Sequence, residues 1–414
     1  MKTPRIASKR SPQRVLILNH NLRERGTYFR AWKMAEGFRN RGDDVTFCTI
    51  GEQYYRTRQK RHKGITVLET PNLALAHGPD GGWLPIGVCS RMYHVLTSHR
   101  YDLVYTFSHK PVDVLPALVA KLTKGSFWLG DWCDLWNGDG LNKLMMELRG
   151  SAKTLTDRWS DLIVWLDAAF EQFTARNTNA LTVISQDLKH QATQLRGTGS
   201  HIHLLPSGAD TERITLLPKS ASRKEFALPQ GVPLLGYMTS WYPDEAFTLS
   251  ALRSVLQQHP KAAVAIAGPP LTNQEHLLSQ VPFAGRVFHC GRLPFARIPT
   301  FLAACDILLM PLQDTPFNRS RWPNKIGDYL ASGRPQVACA VGDVGPFMDQ
   351  AAAQGQPLGE KTEPTVEAFA EGILKLLNQP EVWDALGKNA RLHAETHRSW
   401  RLIRKSFFQW FNQL

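Results

Sequence analysis

CDILLMPLQDTPFNRSRWPNKIGDYLASGRPQVACA, residues 305–340, carries the local pattern on which the reading of this chain turns. It opens on an apolar run that ends at Pro311, as a fully buried strand would. A polar loop follows, then an amphipathic segment from near Asn324 to Gly333, then a second apolar run, QVACAV. Gly333 marks the helix stop, because glycine most readily takes the left-handed conformation found there. Strand, loop, helix and strand in that order make a βα unit of a parallel sheet. In such a sheet the loop and the helix start lie at the carboxyl edge, where ligands bind. The first helical turn has unpaired N–H donors and the positive end of the macrodipole, which together suit an anion. The dipole disfavours Lys325 in that turn, and an anionic ligand beside it would explain its place. The alternative is an exposed lysine paired with Asp328 at i,i+3.

The alternation of short apolar runs with helical segments extends in both directions. RVLILN (14–19) reads as a buried first strand, followed by the loop HNLRERG and a helix from about Thr27 to Arg41, stopped by Gly42. DVTFCTI and ITVLET are further strands, with the polar stretch YYRTRQKRHKG between them. YDLVYTFS, the helix VDVLPALVAKL, FWLGD, a long helical region from about Ser151 to Arg176, and ALTVIS complete a first series that closes near IHLLPSGAD. PLLGYMT, EAFTLSALRSVLQQH, AAVAIAG, RVFHCG and ARIPTFLAAC lead into the opening stretch as a second series. The expected fold class is α/β, with two Rossmann-like, doubly wound parallel-sheet domains facing a cleft. The expected parts are a basic tail (1–13), an N-terminal domain (14–206), a C-terminal domain (207–385) and C-terminal helices (386–414) packing back toward the first domain. In the last helix Trp400, Ile403, Phe407, Trp410 and Phe411 fall on one side, a core-packing stripe.

The whole chain has 414 residues, too many for one ordinary core, and its 43% apolar and 21% charged residues exclude a disordered or collagen-like chain. No apolar run approaches the roughly 18 residues of a membrane span, and VLIL is too short for a signal-peptide core. Cys48, Cys89, Cys133, Cys290, Cys305 and Cys339 form no CxxC pair and read as reduced thiols of a cytoplasmic protein. The net charge of +13 is uneven: residues 1–206 hold 28 Lys and Arg against 18 Asp and Glu. This favours an anionic partner for the first half, whether nucleic acid, acidic lipid or a phosphorylated substrate. No nucleic-acid module accompanies the charge, so nucleic acid is set aside.

RVLILN, LLPSGADTERI, CDILLMP and KIGDYLASGRPQVA, in this order and spacing, resemble the GT-B glycosyltransferases of the retaining family 4 type. The resemblance implies a nucleoside diphosphate sugar as donor, held mainly by the second domain, an acceptor held mainly by the first, and transfer without a cofactor or metal. Asp328, five residues before Gly333, matches the acidic residue that meets the donor ribose. Ser320 stands where the family's first motif glutamate belongs, and YMTSWYPDEAF lacks the usual Arg and Lys for the diphosphate. Lys325, Arg319 and Arg321, with Asn324 at the helix start, are the expected replacements. The resemblance also sets Gly26 in the loop against the donor phosphates, His109 beside the donor sugar, and Arg292 and Leu293 against the nucleobase. His109 and Lys325 are the expected catalytic residues.

Arg23, Arg25 and Arg30 conflict with the dipole of the helix they precede or enter, and an anionic ligand explains them. Asp131 and Asp134 end a strand on the same edge; carboxylates there can orient hydroxyls, hold a cation or work as acid and base. Read through the resemblance, these five residues are assigned to the acceptor, a glycan or lipid-linked molecule of the cell envelope or a polysaccharide. Arg56, Arg58, Lys60, Arg61 and Lys63, with Tyr54 and Tyr55, suggest docking at an anionic membrane surface on its inner face. The other readings are a non-catalytic GT-B scaffold that binds a partner, and a nucleotide-sugar epimerase.

Overall fold

The computed structural model describes residues 12–51, 55–72, 82–138, 140–144, 155–239, 243–270 and 285–414. Residues 1–11 of the basic tail, Tyr54 and residues 240–242 of the YMTSWYPDEAF segment lie outside the described residues. The chain divides into two compact units, Met1–Val183 with Leu188–Leu204, and Ile184–Asp187 with Leu205–Leu414.

The first unit carries an eight-stranded sheet in the order β3-β4-β2-β1-β5-β6-β7-β8. Its strands are β1 (Arg14–Leu22), β2 (Asp44–Ile50), β3 (Arg58–His62), β4 (Ile65–Thr70), β5 (Leu103–Thr106), β6 (Phe127–Trp132), β7 (Ala180–Val183) and β8 (Ile202–Leu204). Val15, Leu16, Ile17 and Leu18 of β1 are at most 1% exposed, because helices cover both faces of a central parallel strand. Each such side chain contributes roughly 1.5–3 kcal/mol on burial. Leu16, Leu18, Val104, Val114, Ala117 and Trp128 gather into one core beneath helix Pro111–Lys124. β3 is the exception to the parallel pattern: it runs antiparallel to β4, Arg58 opposite Glu69 and His62 opposite Ile65, and all five residues are exposed. The polar stretch RQKRH is therefore an edge strand, and its charged residues guard that edge against further pairing.

The second unit carries a six-stranded parallel sheet, β11-β10-β9-β12-β13-β14. It comprises β9 (Leu234–Met238), β10 (Ala263–Ala267), β11 (Val287–Gly291), β12 (Ile307–Met310), β13 (Gln336–Cys339) and β14 (Gly359–Thr362). β12 and the helix Lys325–Ser332 fall where the opening stretch places them, and the helix ends at Gly333 with φ +65°. Gly208 and Gly327 account for the PSGAD segment: a Cβ on Gly327 would stand 2.7 Å from the Gly208 carbonyl oxygen. Ala209 in turn exchanges hydrogen bonds with Arg398 (2.7 Å) and Trp400 (3.1 Å), tying the terminal helix Trp400–Phe411 to that segment. Trp400, Ile403, Phe407 and Phe411 are buried on one face of that helix, within the second unit.

Candidate functional site

In the second unit the site forms beyond the carboxyl ends of β9 and β12. Lys325 directs its ammonium over the Tyr237 ring, 5.1 Å from the centroid, a cation–π contact. Burial first, then the neighbouring Arg321, pushes its pKa down to about 7, against the pull of Asp244. Asp244 is buried just ahead of helix Glu245–Gln258 and accepts from the Gln313 amide (3.2 Å) and Asn318 Nδ2 (3.0 Å). Arg321 stands 3.7 Å from it and lies over the Phe317 ring. Burial raises the Asp244 carboxyl, while Arg321 lowers it. Arg321 and Lys325 thus share one carboxylate, giving a locally positive site.

The first-turn amides of the Lys325 helix are partly committed: Ile326 N–H bonds to Pro323 O (3.0 Å) and Gly327 N–H to Asn324 O (3.2 Å). Asn324 is exposed at the helix start and makes no side-chain cap bond. Asp328 meets Arg213 at 3.5 Å, and Arg213 also meets Asp210 at 3.4 Å and lies over the Phe295 ring at 3.2 Å. Arg213 of the ADTER segment, which also meets Asp210, therefore braces Asp328.

Two further expected donor residues are held by local partners. Arg319 forms a two-pronged surface pair with Asp314, at 2.5 and 2.7 Å, so its charge is answered on the outside. Ser320 is fully buried, donating to Phe317 O (3.0 Å), while its own carbonyl accepts from Ser185. Arg292 is exposed after β11, with Leu293 half-buried beside it, following the turn at Gly291 (φ +66°).

In the first unit the loop after β1 is locked by its own side chains. Asn21 Nδ2 donates to Thr27 Oγ1, which donates to Asn19 Oδ1, both at 2.8 Å. Gly26 has φ +50°, and a Cβ there would stand 2.8 Å from the Asn21 side chain, so the loop requires glycine. Arg23 and Arg25 are exposed on this loop, Arg23 at 3.5 Å from Glu24. Arg30 is not: it is 2% exposed and grips Asp131 through two bonds, Nε at 2.8 Å and Nη2 at 2.7 Å. Burial by itself would discharge Arg30, but Asp131 more than offsets it and holds the pKa above its ordinary value. Thr182 adds a third bond to Asp131 at 2.5 Å. Arg30 and Asp131, expected at the acceptor, are thus a helix-borne cation and a strand-end anion that meet in the core, where burial leaves each needing the other.

His109 is buried at the end of β5, edge-on to Trp132 at 5.8 Å, and neither ring nitrogen has a hydrogen-bond partner among the described residues. Burial, then Lys110, brings its pKa down to about 3, so the ring is neutral, with one donor and one acceptor nitrogen. Lys110 beside it is buried, ion-paired with Asp167 and 4.2 Å from the Trp136 ring centroid. Asp134 is half-buried, accepting from Cys133 Sγ at 3.6 Å. Glu171, which sequence reading missed, holds the Asp134 loop by accepting from Trp132 Nε1 (2.8 Å) and the amides of Trp136 (2.9 Å) and Asn137 (3.0 Å). Burial pushes its carboxyl up to about 7. Among the described residues no group of three or more His, Cys, Asp or Glu is placed to hold a metal ion.

Comparison with known proteins follows this division. Residues 25–208 match the family model described as "Glycosyl transferase 4-like domain", and residues 232–379 match "Glycosyl transferases group 1". A teichuronic acid biosynthesis glycosyltransferase of Bacillus subtilis, TuaH, is 23% identical over 37% of this chain and 38% of its own length. A GDP-mannose-dependent monoacylated alpha-(1-6)-phosphatidylinositol monomannoside mannosyltransferase of Corynebacterium glutamicum is 24% identical over 54% of this chain and 60% of its own. The chain thus spans less than two thirds of the length of these curated relatives. Among solved structures, sucrose-phosphate synthase from Thermosynechococcus elongatus has a TM-score of 0.71 at 18% identity, covering 97% of this chain and 98% of its own. Anabaena HepE in complex with UDP and glucose has a TM-score of 0.70 at 16% identity, over 97% and 100%.

Proposed function

We propose a reaction for this chain from the premise that it is a GT-B glycosyltransferase resembling family 4. It transfers a sugar from a nucleoside diphosphate sugar to a cell-envelope or polysaccharide acceptor, with retention of anomeric configuration and without a metal. The observation that carries this reading is the placement of Lys325 and Arg321 around Asp244, one helical turn from Asp328. Lys325 and Arg321 meet the diphosphate, where negative charge grows as the sugar leaves, and preorganised cations in a poorly solvated site stabilise that charge. Asp328, braced by Arg213, accepts from the ribose hydroxyls. His109 remains neutral, and its unpartnered nitrogens can exchange hydrogen bonds with a sugar hydroxyl. The departing phosphate takes the acceptor proton.

The product's anomeric proton, followed by NMR, is expected to keep the donor's configuration, and the rate is expected to survive EDTA. Inversion, or loss on chelation reversed by a divalent ion, would overturn the mechanism. Ser320, buried where the family's glutamate stands, favours a second reading in which the scaffold binds a nucleotide without transfer. Nucleotide binding with no turnover across UDP-, GDP- and ADP-sugars would select it.

The acceptor side is proposed to work at an anionic lipid surface, in line with the phosphatidylinositol-linked acceptor in the name of the corynebacterial relative. Arg56, Arg58, Lys60, Arg61 and Lys63 are all exposed, though Lys60 pairs with Glu69 and Lys63 lies 3.2 Å from Glu36. Thr57 and Ser90 hydroxyls, 2.6 Å apart, join this segment to helix Pro85–Thr97, where Ile86, Tyr93 and Leu96 are exposed at helical spacing. Among the described residues no helix is long and apolar enough to cross a membrane. Basic and apolar groups side by side suit the boundary of an anionic bilayer, each cation contributing about 1 kcal/mol. The wild type is expected to sediment with anionic vesicles at low salt and release at high salt, and a variant with all five cations changed to Gln is expected to stay in solution. Equal sedimentation of both proteins would remove this surface from the reading.

A further inference from the structure

A cavity of about 470 Å³ opens in the second unit on the edge of the sheet opposite the Lys325 site. Asp306 and Pro335, which line it, immediately precede β12 and β13, whereas the Lys325 loop follows the carboxyl end of β12. Its volume lies in the range of small-molecule sites, roughly 300–1,000 Å³.

The walls are fixed. Gly387 lets helix Trp383–His393 approach so closely that a Cβ there would stand 2.3 Å from Gly333 O. Arg391 donates to Ile214 O (2.6 Å) and Ala331 O (2.7 Å), tying this helix to the end of the Lys325 helix. Trp383 Nε1 donates to Leu376 O at 2.7 Å, which orients the indole.

The charges in the lining are unequally answered. Asp306 is paired with Lys219 and Arg223, each at 2.6 Å, and Glu395 with Arg391 at 2.6 Å. Asp384 is exposed to solvent, as is Lys388. Arg334 donates Nη2 to Ala303 O at 2.7 Å, but its buried Nε has no hydrogen-bond partner among the described residues. A buried donor on a cation is costly unless something accepts from it. Beside it stand Leu216, 63% exposed, and Leu392, 46% exposed, apolar surface left open among the described residues.

We propose that this cavity is a second ligand site, taking a small molecule with an anionic head on an apolar body. The head sits on Arg334 and Lys388, and the body covers Trp383, Leu216 and Leu392. The site is separate from the donor reading and stands or falls without it.

Phenyl phosphate is the probe, titrated into protein carrying ¹⁵N-labelled tryptophan, with the Trp383 indole signal assigned through W383F. A saturable shift of that signal is expected, with affinity lower by about tenfold or more in R334Q, as for the loss of a charged hydrogen bond. K388E and L392D change exposed side chains and keep the fold if R334Q does not; each is expected to weaken binding several-fold, with melting curves confirming that the variants are folded. Inorganic phosphate is expected to bind more weakly than phenyl phosphate. No saturable shift, or equal affinity in folded variants and wild type, would overturn the site. Equal affinity for the two phosphates would overturn the apolar half of the assignment.

Discussion

Replacing Lys325 with alanine weakens nucleoside diphosphate binding by about ten- to a hundredfold, the expected loss of a charge-assisted contact, as calorimetry with UDP, GDP and ADP will read. The pH dependence of the same binding gives a sharper test. Burial and Arg321 bring the Lys325 ammonium down to about 7, so near neutrality the free protein holds it only partly charged. An anionic ligand favours the charged form, and binding therefore takes up a proton. Affinity for a nucleotide sugar, whose diphosphate does not titrate in this range, falls as pH rises from about 6.5 to about 8.5. Lys325→Arg stays charged throughout and flattens the profile. For stability the sign is opposite. A folded value below the unfolded one means that the unfolded chain holds more protons above about 7, so the contribution of Lys325 to stability rises with pH through that window. Asp328→Ala weakens nucleotide binding without changing the pH slope, because the titrating group remains. Unchanged affinity in both alanine variants, with both folded, would remove the donor site from this helix.

What the sequence made legible follows from the range of the forces involved. Buried parallel strands are continuous apolar runs, so β1 and β12 announce themselves in VLIL and ILLM. β3 did not, because RQKRH is exposed on both faces and its only strand signal is its pairing with β4. Lys325 and Asp328 were legible because their place on a helix start is a local property. Asp244 and Arg213 were not, since what gives them a role is contact across the fold: Asp244 meets Asn318 74 residues away. Arg30 and Asp131 mark the limit most clearly. A charged residue at a strand or helix end has the same local signature whether it faces a ligand or a partner 101 residues away.

That pair sets the second large effect. Asp131→Ala is expected to destabilise the first unit by about 3–5 kcal/mol, because it leaves the Arg30 guanidinium buried without its counter-charge. Thr182 also loses the nearer of its two acceptors, keeping Gly130 O at 3.2 Å, and the Tyr105 hydroxyl, 2.8 Å from Thr182, is disturbed in turn. At about 2–4 °C per kcal/mol for a unit of this size, the first transition in a calorimetric scan drops by roughly 6–20 °C. The chain divides into two compact units, so the second is expected to unfold in a transition of its own that moves little. Arg30→Met together with Asp131→Leu should recover much of the loss, since replacing both charges by apolar groups of similar volume removes the cost of burying either alone. An acceptor-binding role predicts the reverse pattern: Asp131→Ala would melt as the wild type does and lose only affinity for the acceptor. A normal melting curve for Asp131→Ala would therefore return Asp131 to the acceptor site, whereas a lowered first transition rescued by the double variant fixes it as the anion that lets Arg30 enter the core.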